Sequence, residues 1–237
     1  PGPAGPHQKR AQTRRMSPVL AAALTEALGS SVVARRSLAG GDLNEAFEVT
    51  LADGRVLFAK SNAGAGIGAD MFIAEARGLA WLAEAGSLRV PKVIAATENA
   101  GTTPGLLVLE MIASARRCAD FDERLGRGLA ALHRFGAPTL GLDHDNFIGR
   151  LPQENGALPS PSPLWGDFYR QRRLEPQLRR AVDGGRVSSS SSSRMQAGFH
   201  RLFRDLDQLV GQPEPPARLH GDLWGGNHLV DDRGEPC

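Results

Sequence analysis

The pattern of apolar and polar positions changes period along the chain, and each change predicts an element. In residues 17–29, SPVLAAALTEALG, it predicts a helix with Ser17 as N-cap, Pro18 at the first helical position and Gly29 at the stop. Residues 37–62, SLAGGDLNEAFEVTLADGRVLFAKSN, alternate instead. They predict two strands joined by the turn Ala52-Asp53-Gly54 and preceded by a glycine-containing loop. The helical period returns in DMFIAEARGLAWLAEAG, with Asp70 as N-cap, Leu79 and Leu82 on the apolar spacing and Gly86 as terminator. Residues 88–112, LRVPKVIAATENAGTTPGLLVLEMI, read as one or two strands broken by a loop at 99–105. A lobe boundary is expected near 112–119, separating a first lobe, 16–112, from a second, 113–237.

The second lobe reads as mostly helical. Asp120-Phe121-Asp122-Glu123 has the form of a capping box, opening a helix with Leu125, Leu129 and Leu132 on one stripe and Gly136 at its end. Residues 164–182 are expected to be helical with a kink or break at Pro176. Met195, Phe199, Leu202, Leu206 and Leu209 form the apolar face of an amphipathic helix closed by Gly211 and Pro213. The serine run at 188–193 predicts a mobile loop before it. The chain has no internal repeat.

Composition narrows the function classes. A chain of 237 residues can bury a substantial core as one large domain or two small lobes. Cys118 and Cys237 are its only cysteines and lie far apart, which supports neither a disulfide framework nor a cysteine metal site. A reducing, cytoplasmic setting is expected. The net charge is +2 and the basic residues are scattered among acids, so no face suggests nucleic acid or an anionic membrane. A small substrate is expected. No apolar run is long enough to span a bilayer. The opening PGPAGPHQKRAQTRRM has no acid and no apolar stretch, so it does not read as a secretory signal; residues 1–15 are expected to form a disordered tail, with Met16 as the native start.

Candidate chemistry centres on LHGDLWGGN, residues 219–227, which gathers His220, Asp222 and Asn227 around glycines. Such a string is also ordinary turn material. Its His-x-Asp-x4-Asn spacing resembles the catalytic loop of protein kinases and their relatives. Upstream, Lys60 at the end of RVLFAK could reach ATP phosphates from a cleft, or be an ordinary strand-end lysine. Glu75, on the following helix, is placed to pair with it, or is a solvated carboxylate. Gly40 and Gly41 in GGDLN would let backbone approach a phosphate, and a plain hairpin loop explains them equally well. After LLVLEMI, a linker at Glu110, Met111 and Ile112 would offer backbone groups to an adenine ring; as a buried strand it needs no function. The order of elements is that of an α+β, protein-kinase-like fold: a small antiparallel sheet lobe with one helix, then a mainly helical lobe.

From about Leu38 to Pro236 the sequence resembles the fructosamine kinase, or ketosamine-3-kinase, family, a branch of the aminoglycoside-phosphotransferase-like and choline-kinase-like proteins. The resemblance runs through GGDLNEAFEVTLADGRVLFAK, FIAEARGLAWL, RVPKV, LGRGLAALH, GLDHDNFIG and LHGDLWGGN, the last two being the most specific. Related antibiotic and choline kinases usually carry another residue where this chain has Trp224. The resemblance implies ATP-dependent phosphorylation of the sugar 3-hydroxyl of a ketosamine, free or protein-bound. Asp222 would accept the hydroxyl proton, Asn227 would ligate Mg²⁺, and Lys60 would neutralise phosphate charge. His220 would hold the loop, and Trp224 would line the sugar-amine pocket or pack in the core. His133 is expected to be a helix-end partner, and Asp231 and Asp232 to form a hairpin turn. In the family an Asp-Pro-Ala motif follows this hairpin, whereas the sequence stops at Glu235-Pro236-Cys237. The resemblance therefore implies a truncated kinase lacking the second metal ligand. An aminoglycoside- or choline-type phosphotransferase and a non-catalytic kinase-like binding module remain as alternatives.

Overall fold

Ser17 caps the first helix, α1 (Pro18–Leu28), its hydroxyl accepting the Leu20 N–H at 3.2 Å. Gly29 ends α1 at φ 67°, a left-handed conformation that costs glycine little. The structure is a computed structural model that describes residues 16–38, 45–62, 70–158, 164–186 and 189–237. The expected tail at 1–15 and the glycine loop holding Gly40 and Gly41 lie outside the described residues.

Five strands follow one antiparallel plan: β1 (Val32–Ser37), β2 (Glu45–Leu51), β3 (Val56–Asn62), β4 (Val93–Thr97) and β5 (Gly105–Glu110), in the order β1-β2-β3-β5-β4. The β2–β3 hairpin turns where the sequence predicts, with Gly54 at φ 87° and Asp53 accepting the Arg55 N–H. Strand β1 was not expected. Its VVARRS has arginines where an alternating pattern needs apolar residues, and it forms as an edge strand against β2.

Alternation along the strands makes two faces. Phe47, Val49, Leu51, Leu57, Ala59, Leu106 and Val108 pack against Leu20, Leu24 and Leu28 of α1. Burying each α1 leucine contributes about 2 kcal/mol. The sheet unit also carries the helix predicted after the hairpin, α2 (Met71–Ala83). Lys60, between Ala59 and Ser61 on the central strand, points to the face opposite Ala59. Helix α2 packs on β4 and β5.

The chain divides into two compact units. One comprises the described residues up to Leu125 together with Asp222–Cys237; the other is Gly126–Gly221. The division thus falls after the expected boundary at 112–119 and returns the last sixteen residues to the sheet unit, because backbone hydrogen bonds join Ala115 and Cys118 to Asp231 and Gly234.

The second unit takes up most of α3 (Phe121–Phe135), the hairpin β6 (Asn146–Ile148) and β7 (Leu151–Gln153), and helices α4 (Trp165–Tyr169), α5 (Glu175–Asp183) and α6 (Ser189–Leu209). Buried Asn155 knots the hairpin: its amide donates to the His144 carbonyl and to Asn146 Oδ1, and its carbonyl accepts from Arg173. The α-helix expected over 164–182 is interrupted next to Pro176: a π-helical turn at Arg170–Leu174 joins α4 to α5, and Pro176 sits in the first turn of α5. The loop expected at 188–193 is not seen from Ser189 on, where α6 begins; Ser188 lies outside the described residues. Serine costs only about 0.5 kcal/mol relative to alanine in a helix, and an established amphipathic helix propagates through it.

Candidate active site

The central strand β3 is hydrogen-bonded on both sides, with Lys60 opposite Ala46 of β2 and Leu107 of β5. Its ammonium meets the Glu75 carboxylate of α2 at 2.6 Å, both side chains being half-buried. The pair forms because period-2 alternation turns Lys60 toward the face covered by α2. Glu75 therefore pairs with Lys60 rather than standing as a solvated carboxylate.

The loop after the second unit is drawn together by Asn227. Its amide donates to the Asp222 carbonyl at 2.8 Å and to Asp222 Oδ2 at 2.9 Å, and its backbone N–H donates to the Trp224 carbonyl at 2.8 Å. Gly221 enters this turn at φ 84°. Asp222 and Asn227 are thus brought together on an exposed turn. Trp224 is 64% exposed and lies outside the buried core of the described residues. Its indole lies over Gly226, where a Cβ would stand 2.5 Å from the ring. His220 and His133 are both exposed.

Strand β5 ends at Glu110. The Glu110 N–H donates to the Lys92 carbonyl at 2.8 Å, so only its carbonyl and the groups of Met111 and Ile112, beyond the strand, fit the expected adenine contact. The Glu110 carboxylate accepts the Lys92 N–H at 3.0 Å and the Arg89 guanidinium. Burial alone would raise its pKa; these hydrogen bonds and the two cations outweigh burial and hold it below the ordinary value.

Asp231 and Asp232 lie in the expected hairpin turn, closed by Asp231 N–H to Glu235 carbonyl at 2.9 Å and by the bridge Val230–Pro236. Sequence reasoning missed how buried Asp231 is. Its carboxylate, with no exposed surface, accepts the N–H groups of Arg233 and Glu235, both at 2.9 Å, and the Arg89 guanidinium at 3.2 Å. Burial pushes its pKa up, but these donors more than reverse that and leave it lowered. Both carboxylate oxygens of Asp231 are thus engaged by donors of this chain. Among the described residues no group of three or more His, Cys, Asp or Glu side chains forms a metal cage. Arg89 was also missed; the only signal was a lone arginine between apolar residues in LRVP.

Residues 16–237 match the fructosamine kinase family. The chain belongs to that family. It is 36% identical over 205 residues to a probable ketoamine kinase of Synechocystis sp., covering 85% of this chain and 63% of that protein. It is 33% identical to the chloroplastic protein-ribulosamine 3-kinase of Arabidopsis thaliana, covering 90% of this chain and 62% of that one. The chain therefore spans less than two thirds of the length of these relatives. A crystal structure from Thermobifida fusca, classed as a fructosamine-3-kinase, superposes with a TM-score of 0.68 at 35% identity, over 90% of this chain and 69% of that one. Fructosamine kinase membership agrees with the α+β, kinase-like architecture, including the five-stranded sheet that carries the Lys60–Glu75 pair.

Proposed function

We propose that this chain carries the nucleotide and catalytic-loop residues of an ATP-dependent kinase that phosphorylates the sugar 3-hydroxyl of ketosamines, fructosamines or ribulosamines, free or on proteins, and so repairs glycated amines. The observation that carries the reading is the contact of Asp222 with Asn227 in a unit that also holds the Lys60–Glu75 pair. The names of the Synechocystis and Arabidopsis relatives, ketoamine kinase and ribulosamine 3-kinase, support the acceptor class.

A sugar hydroxyl is a poor nucleophile at neutral pH. Asp222 accepts its proton as the oxygen attacks the γ-phosphorus, a contribution of roughly a hundred- to ten-thousandfold. Lys60, oriented by Glu75, holds phosphate oxygens. The segment at Glu110, Met111 and Ile112 seats the adenine by backbone groups, and Gly40 and Gly41 approach the phosphates. Trp224 offers its exposed indole to the acceptor. Asn227 spends its amide nitrogen on Asp222, leaving its side-chain carbonyl oxygen as a hard donor suited to Mg²⁺. Bound there, Mg²⁺ would offset phosphate charge, with phosphate and water oxygens completing its shell. The two free cysteines suit a reducing cytoplasm, and among the described residues no helix is long and apolar enough to cross a membrane.

The test is one ADP-release assay with fructoselysine, ribuloselysine, kanamycin and choline. Release with the first two supports the reading. Preference for kanamycin or choline replaces the acceptor class, and nucleotide binding without release for any acceptor favours a binding module.

A further inference from the structure

Arg89 lies in the segment before β4, far in sequence from the catalytic loop, yet its guanidinium joins three acids. One nitrogen, Nη2, donates to Glu110 at the end of β5; the other, Nη1, donates to Asp231 and Asp232, each at 3.2 Å. Glu110 immediately precedes Met111 and Ile112. Asp231 follows Asn227 by four residues. Backbone bonds run parallel to this link: Ala115 N–H to the Asp231 carbonyl at 3.0 Å and Cys118 N–H to the Gly234 carbonyl at 3.0 Å. Arg124 of α3 grips the same hairpin through Glu235 at 2.5 Å.

We propose that Arg89 is a positioning residue that fixes the linker after β5 and the hairpin after the catalytic loop to one another, so that the adenine-side backbone and the Asp222–Asn227 turn are held in one register. The effect on nucleotide rests on the kinase reading above; the clamp itself does not. Three carboxylates gather around this one guanidinium, and Asp231 is fully buried. Without the shared cation they would repel one another and separate linker from hairpin. Arginine suits the position because its planar fork donates in two directions at once, whereas a lysine ammonium is a single point on a flexible stem. Arg233 and Lys92 also face these acids, but neither donates to both Glu110 and Asp231.

The experiment measures amide hydrogen exchange and Mg·ADP affinity on the 237-residue protein and on its Arg89→Ala, Arg89→Lys and Glu110→Gln variants. The clamp requires Arg89→Ala to accelerate exchange by about tenfold or more in residues 111–118 and 229–237, with amides of β2 and β3 unchanged. Arg89→Lys recovers only part of this protection. Mg·ADP binds Arg89→Ala about tenfold more weakly than wild type at an unchanged number of sites. Unaltered exchange in those two segments, acceleration spread evenly over the sheet, or full rescue by lysine would overturn the clamp. Should Arg89→Ala not fold, Glu110→Gln, which keeps the Arg89–Asp231 contact, must still loosen residues 111–118. Absence of Mg·ADP binding by the wild type counts against the kinase reading, and the exchange pattern still decides the clamp.

Discussion

Asn227 donates its side-chain amide to both the carbonyl and the carboxylate of Asp222, at 2.8 and 2.9 Å. The four residues between them close a turn that fixes where the carboxylate stands, and Asp222→Asn keeps an oxygen for that contact while removing the base. Turnover with a ketosamine should fall by roughly a hundred- to ten-thousandfold, with little change in the KM for ATP. Steady-state kinetics decide this; an unimpaired variant removes Asp222 from the base role.

The Lys60–Glu75 pair should matter to nucleotide rather than to acceptor. Lys60→Met deletes a charge-assisted contact worth about 1.5–3 kcal/mol, so nucleotide affinity should weaken by roughly ten- to a hundredfold. Glu75→Gln, which leaves the ammonium but loosens its aim, should weaken it less. Titration calorimetry with Mg·ADP reads both, and equal affinity in all three proteins would make Lys60 a structural residue.

Gly234 should not tolerate a side chain. It sits at φ 83°, and an added Cβ would stand 2.5 Å from the Arg116 carbonyl oxygen and 3.0 Å from the Cys118 nitrogen. Backbone cannot swing aside as a flexible side chain can, and the left-handed conformation alone costs about 1–2 kcal/mol. Gly234→Ala should lower the melting temperature by several degrees. Gly226→Ala, which meets only the outer atoms of an exposed indole, should lower it far less.

Acid should loosen the hairpin before the sheet. Glu110 and Asp231 both titrate below their ordinary values in the folded protein. Groups so depressed contribute stability at neutral pH, above their unfolded values near 4, and that contribution is lost as pH falls through the lower folded values. In urea unfolding the advantage of wild type over Glu110→Gln should therefore be full at pH 7 and shrink as pH falls below the unfolded value near 4. A gap that does not change with pH would contradict the charge-based account.

Trp224→Ala should leave the melting temperature within about a degree, since the indole is exposed and touches mainly its own loop. If the side chain faces the acceptor, the KM for fructoselysine should rise while that for ATP stays fixed. A large loss of stability would return Trp224 to a packing role.

The local devices are legible in the amino-acid order: the Ser17 cap and Gly29 stop of α1, the turn at Asp53-Gly54, the alternation of β2 and β3, and the string that places Asp222 five residues before Asn227. These follow from backbone preference and periodicity within a few residues, which a one-dimensional pattern records. That pattern does not show β1, whose arginines hide an edge strand that exists because β2 offers it a ladder. Nor does it show the π-helical turn before Pro176 or the helical serines of α6, where neighbouring turns outweigh weak local preferences. The burial of Asp231, and its tie to Glu110 through Arg89, 142 residues before it in the chain, arise only in the folded molecule. Ion pairs of that kind depend on which surfaces the folded chain brings within about 4 Å, and no local spacing encodes that proximity.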